Sequence, residues 1–242
     1  MAISTSTTTL SANDARILNA LFDPETLPSS VAAAQSTSTI DDSLPPHPAI
    51  PSSQLSTLEA QQNELVRHIT SSSSISSVEA AIKQQDEIVS SHPSYPSAYL
   101  NRAMLRRMLL ESSLPKEADA SIFSSPEPDL DALFSDLSRS ISTCLPSSSS
   151  ASTSVSTYQA RILRTAYSHR AYLYLKAAEL GIEWRGKGKS ELEEAASADF
   201  AGAARFGDEV AREMSVRTNP YAKMCGAIVR NALREERRDM LG

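Results

Sequence analysis

Tyr99-Leu100-Asn101-Arg102-Ala103 and Tyr167-Ser168-His169-Arg170-Ala171 are one phrase written twice: aromatic, two residues, arginine, alanine. Each copy stands in a stretch rich in alanine and leucine, which favour the helix intrinsically. A phrase that recurs inside helices predicts helical hairpins stacked one on the next. One hairpin cannot bury its own apolar face, so at least three must share a core. Such a protein holds partners rather than transforming substrates.

Working outward, Leu55, Leu58, Leu65, Val66 and Ile69 keep helical spacing until the serine run over 71–74. Ser76 with Glu79 reads as a capping box for a helix through Ala81, Ile82, Ile88 and Val89, stopped by His92-Pro93. Pro96 suits the first turn of a helix that carries the first phrase from Ser97 to about Glu111. Prolines between Ser112 and Pro128 predict a loop, and Leu133, Phe134, Leu137 and Ile141 predict a helix from Leu130 to Cys144. A serine-rich spacer reaches Ser156. The second phrase then lies in a helix from Thr157 to Leu180, capped by Gly181. After a basic loop, Ser190 and Glu193 box a helix to Phe206 that Gly207 ends, and a short helical turn follows. Asn219-Pro220 launches a last amphipathic helix to about Arg237. At the other end, Ile17, Leu18, Leu21 and Phe22 predict a short helix over 13–22, and Glu25 to Pro51 reads as a linker. The expected fold is all-α: residues 1–51 as short helix and linker, then residues 52–242 as three helix pairs and a capping helix.

The 242 residues carry a net charge of −6. There is no basic surplus to release counterions, which argues against nucleic acid and anionic membranes. Two cysteines far apart, Cys144 and Cys225, suit a reducing compartment. No apolar run approaches the roughly 20 residues of a bilayer span, and residues 1–11 lack the apolar core of a secretory signal. The expectation is a cytoplasmic monomer, with the nucleus open to it, and no membrane partner.

The paired helices resemble the tetratricopeptide repeat, a unit of about 34 residues with the pattern W-x2-L-G-x2-Y…A-x3-F…P. Tyr167, Ala171 and Tyr174 match its first half, and Ala196 and Phe200 its second. Tyr99 and Ala103 fit the middle unit, where Leu133 and Leu137 replace the alanine and the aromatic. Leu58, Leu65, Ala81 and Pro93 fit the first unit, from which Gln62 and Gln85 depart. The alanines stand where the two helices of a pair cross closely, and Tyr99 and Tyr167 wedge between neighbouring units. Three further segments are similar to the tetratricopeptide repeat protein 36 family: residues 13–26, Ala203-Ala204-Arg205-Phe206-Gly207, and Asn219-Pro220-Tyr221-Ala222 with Cys225. The inserted serine loops depart from that family's compact pattern. The resemblance implies a right-handed superhelix. It also implies a soluble, non-catalytic, chaperone-associated protein without a cofactor, linked to tyrosine breakdown.

Co-chaperones of this repeat class hold the acidic tail of chaperones such as heat-shock protein 70 in a carboxylate clamp of Lys, Arg and Asn. Asn101 and Asn63 match clamp asparagines, but Glu59 stands where a lysine is expected, and Thr165 and His169 replace a basic pair. Another protein or peptide contact in the same groove is therefore the stronger expectation, with Asn63, Asn101, Met104, Arg107, His169 and Tyr172 as its lining. Cys225 lacks a histidine or second cysteine at ligand spacing, so burial against the last unit is expected. His47, between prolines, reads as exposed, and His68, His92 and His169 share no metal spacing. Arg185 to Lys189 lacks the spacing of a phosphate loop and reads as solvated. The serine runs are flexible spacers or phosphorylation targets.

Overall fold

Alanine- and leucine-rich runs punctuated by caps give helices in the places where the apolar period is helical. The protein is seen in a computed structural model that describes residues 40–70, 72–115, 121–145 and 154–241. The described residues form α1 (Ser52–Arg67), α2 (Ile75–Ser91), α3 (Pro96–Ser112), α4 (Glu127–Cys144), α5 (Thr157–Glu179), α6 (Lys189–Arg205), α7 (Glu209–Thr218) and α8 (Pro220–Leu241), with no strand among them. The fold is all-α. The helix expected over 13–22 lies outside the described residues.

From α2 to α7 each helix packs on the next in sequence, and α5 with α6 makes the most extensive contact. The main core joins Leu133, Phe134 and Leu137 of α4 to Ile162, Leu163 and Ala166 of α5. Burying each of the larger side chains contributes roughly 1.5–3 kcal/mol. Trp184 stacks on Phe134 at 5.3 Å between ring centroids, which carries the α5–α6 loop onto α4. A second cluster sets Ala171 against Ala196, Phe200 and Ala203, where small side chains let α5 and α6 approach. Gly202 makes that approach possible: a Cβ there would stand 3.0 Å from the Tyr167 ring.

Several starts and boundaries differ from expectation. Ser74, not Ser76, caps α2 by accepting the Ser77 N–H. Gly188 precedes α6, and Glu191 reaches back to its N–H, so the helix is capped two residues earlier than Ser190 and Glu193 suggest. The turn after Gly207 is a ten-residue helix, α7, because the Asp208 side chain caps it. Ser156 and Gln159 form a full capping box on α5 that the serine-rich composition conceals. The glycines at 181 and 207 have φ of 67° and 88°, the left-handed conformation that ends helices there.

The linker expected up to Pro51 is not free of structure over its last part. The helical unit begins at Ile40. The Asp41 N–H donates to the Val155 carbonyl at 2.9 Å, and Ser156 Oγ donates to the Pro46 carbonyl at 2.5 Å. Ile50 joins Leu55, Leu58, Ile88, Tyr95 and Ala98 in one apolar cluster. His47, expected to be exposed, is only 4% accessible. Apolar contact with the first helix pair overrides a composition that reads as linker.

Candidate partner groove

The arginine of the repeated phrase braces the helices that form the groove. Arg102 on α3 donates through Nε and Nη2 to both carboxylate oxygens of Asp136 on α4, at 2.9 and 2.5 Å, and through Nη1 to Asp86 on α2 at 2.7 Å. Arg170 on α5 repeats this with Asp199 on α6 at 2.6 and 2.8 Å, and reaches Ser138 on α4 at 2.9 Å. Each guanidinium lies 5.7 Å from the ring of its phrase tyrosine. Each arginine thus ties its own pair together and ties that pair to the preceding one. Burial pushes the Asp199 carboxyl up, and Arg170 pulls it back. Bidentate geometry is what makes such a buried charge pair tenable.

Sequence reading found the arginines but not their partners. The signal was present: Asp136 and Asp199 each stand immediately before the residue in the aromatic place, Leu137 and Phe200. In the first pair the same places hold Gln61 and Gln84, and both line a crevice of about 870 Å³ between α1 and α2.

Beside this bracing, α3 presents Asn101, Met104, Leu105, Arg107 and Met108 with Val66 and Ile69 along a groove of about 660 Å³. Arg107 is its pivot. Its Nε donates to Glu111 at 2.7 Å, its Nη1 lies 3.4 Å from His169 Nδ1, and its guanidinium sits 4.9 Å from the Tyr172 ring centroid. Lys176 Nζ lies 5.8 Å from the same centroid. Burial and the nearby Arg107 hold His169 below the usual imidazole range, so it is neutral near pH 7. Its bare nitrogen is then an acceptor for Arg107. A smaller pocket of about 190 Å³ continues past Arg107 to Phe123, Tyr172 and Lys176. The surface so formed is apolar along one wall and cationic at its centre.

The structure therefore brings Asn101, Met104 and Arg107 to one groove and sets His169 and Tyr172 against Arg107. Asn63 is exposed on α1 outside that lining. Asn101 donates to Gln62 Oε1 at 2.5 Å, which commits one of its two amide hydrogens within the protein. Glu59 pairs with Arg161 of α5 at 2.8 Å.

Among the phrase and packing residues, Tyr99, Ala103, Ala171, Ala196 and Phe200 are buried and Tyr167 is partly so. The Tyr99 hydroxyl donates to the Pro93 carbonyl at 3.0 Å. In the terminal motif Asn219 Oδ1 accepts the Tyr221 N–H at 2.9 Å and starts α8 beside Pro220. Tyr221 is 61% exposed, and Cys225, expected to be buried, is an exposed free thiol. On that helix Lys223 Nζ is turned to α6, at 3.0 Å from Glu193. Cys144 is buried, which raises its thiol to about 12 and leaves it inert.

Among the described residues, no group of three His, Cys, Asp or Glu side chains could hold a metal ion, and no helix is long and apolar enough to cross a membrane. No family model matches the chain, and no solved structure matches it. The L-tyrosine degradation gene cluster protein hmgX of Aspergillus fumigatus is 42% identical to it over 246 residues, covering 94% of this chain and 93% of that protein.

Proposed function

This chain belongs to the family of the hmgX protein, and on that premise we propose that it is a non-catalytic helical adaptor that regulates or stabilises an enzyme of L-tyrosine breakdown. The observation that carries this is the 42% identity across 94% of the chain to a protein named for a tyrosine-degradation cluster. In this reading the three helix pairs are tetratricopeptide-like units in a right-handed superhelix, and the enzyme is held at the groove of Met104, Arg107, His169 and Tyr172. The groove supports it chemically. Methionines adapt to a partner's shape, and a cation stacked on an exposed tyrosine is the kind of anchor that dominates interfaces.

Affinity capture with the full chain, offered the enzymes of L-tyrosine degradation, tests this. One enzyme is expected on the resin, with capture cut about tenfold or more by the pair Arg107→Ala and Tyr172→Ala at unchanged melting temperature. Deleting the gene is expected to lower the level or activity of that enzyme. If no such enzyme is captured and deletion leaves all of them unchanged, the reading fails. Capture of heat-shock protein 70, lost when its C-terminal tail is removed, replaces it with a chaperone adaptor.

A further inference from the structure

α8 is amphipathic with its apolar side outward. Tyr221, Met224, Ile228 and Leu233 are 61, 55, 61 and 53% exposed, and Val229 is 37% exposed. At about 100° per residue these fall within one half of the helix circumference, and Lys223, Arg230 and Arg234 fall on the other. The charged half is the one tied to the body, through Lys223 and Glu193. None of the four apolar clusters of the described residues takes a side chain from α8. A helix that merely closed the array would turn its apolar half inward. The stripe exposes on the order of 500 Å², the upper range for the largest apolar patch on a monomer.

We propose that this stripe is the interface of a homodimer, in which α8 packs antiparallel on α8 of a second copy about a twofold axis near Ile228. Area and charge select this occupant. Two such faces together present on the order of 1,000 Å² of apolar surface, the lower bound of a specific interface. A twofold contact uses the same patch twice, so an apolar stripe finds its match in itself. Ile228 stands seven residues after Tyr221 and five before Leu233, near the middle of the stripe. Antiparallel pairing therefore sets the tyrosine end of one helix against the leucine end of the other. At the edges of the stripe stand Ala222, Gly226 and Asn231, which are small or neutral and admit close approach. Lys223, Arg230 and Arg234 remain on the far side, so no like charges meet across the seam. A lipid surface or an acidic groove would be matched by cations at those edges. The pair uses no residue of the groove at Arg107, so it stands or falls separately from partner capture there.

Light scattering on the full chain after size exclusion tests the pair. The expected mass is twice the 26.1 kDa of one chain. Ile228→Lys, which puts two like charges at the axis, is expected to halve it with unchanged helical circular dichroism. Ile228→Ala keeps a good helix former and is expected to weaken the dimer about tenfold. Lys223→Gln, on the far side, is expected to leave the mass at twice one chain. A wild-type mass of one chain throughout a micromolar dilution series overturns the proposal, as does an Ile228→Lys protein still at twice that mass. Wild-type protein that stays at one chain and binds phosphatidylserine vesicles, with binding lost in Ile228→Lys, overturns it in favour of a lipid surface.

Discussion

The first helix pair and the two that follow share one arrangement of matched places, but they are joined by different chemistry. In the second and third pairs, alanine stands at the crossing, as Ala103 and Ala171, and an arginine grips an aspartate of the opposite helix. In the first pair Gln62 stands at the crossing. It and Gln85 exchange two hydrogen bonds at 3.0 and 2.8 Å, both amides buried. A side chain of that size holds α1 and α2 apart, and their backbones do not approach as closely as those of the later pairs. Neutral amides satisfy one another locally, whereas each arginine also reaches back to the preceding pair. The later pairs are thus locked into an array to which α2 is tied by Arg102 and Asp86, and α1 is docked on it. Local unfolding is expected to begin in α1.

The largest expected effect lies in the third pair. Asp199→Ala leaves the Arg170 guanidinium buried without its carboxylate and is expected to lose roughly 3–5 kcal/mol in urea unfolding. Asp136→Ala strips Arg102 and Arg106 together but is expected to lose less, because both keep Asp86. Equal losses would break the distinction between a doubly held and a singly held arginine. Next comes the crossing itself. Ala171→Trp overpacks a fully buried contact and is expected to lose about 3 kcal/mol, the upper end of the usual range. An unchanged melting temperature would remove the close crossing from the account.

In the first pair, Gln62→Leu strands the Gln85 amide and is expected to lose about 1–2 kcal/mol. Adding Gln85→Leu removes the second polar group as well and is expected to recover most of it. If the double variant is no better than the single, the amide pair is not a closed unit, and Asn101, which also donates to Gln62, must be counted within it.

How much of this was legible in the sequence follows from which signals are local. The repeated phrase marks α3 and α5 because tyrosine, arginine and alanine recur at fixed spacing within one helix. Gln62 and Gln85 were visible as departures from a pattern. Their mutual pairing was not, since it spans 23 residues and depends on both side chains pointing to one crossing. Asp136 and Asp199 were hidden for the same reason: each meets an arginine about 30 residues away across a helix boundary. At the groove, Arg107, His169 and Tyr172 could be placed by helical face, but the stacking of Arg107 on Tyr172 joins α3 to α5 and needs the packed array. The strap over 40–50 was missed because prolines and serines read as linker, while its anchors are two isoleucines, Ile40 and Ile50, and hydrogen bonds to Val155 and Ser156.

That strap gives the smallest effect and the sharpest separation of the two regions. His47 is buried in the strap beside the Thr143 backbone at the end of α4, with Nδ1 accepting the Ala49 N–H at 3.2 Å. Burial lowers its affinity for a proton below that of a free imidazole, whose pKa is 6.5. Above pH 6.5 both folded and unfolded chains leave it neutral, and its stabilising packing is fully present. As pH falls below 6.5 the unfolded chain takes up the proton first, so stability is lost with decreasing pH. Because Ile50, three residues on, shares its cluster with Leu55 and Leu58, the loss is expected in α1 before α5 and α6. Amide exchange compared between pH 7 and about pH 5.5, corrected for intrinsic rates, reads this helix by helix. His47→Gln, neutral at every pH, is expected to flatten the response of α1. His169→Gln, in the groove, is expected to leave it in place. In a His169→Gln background, which removes the other buried imidazole, acid that loosens α1 and α5 together would show that α1 is as firmly locked into the array as the helices held by arginine.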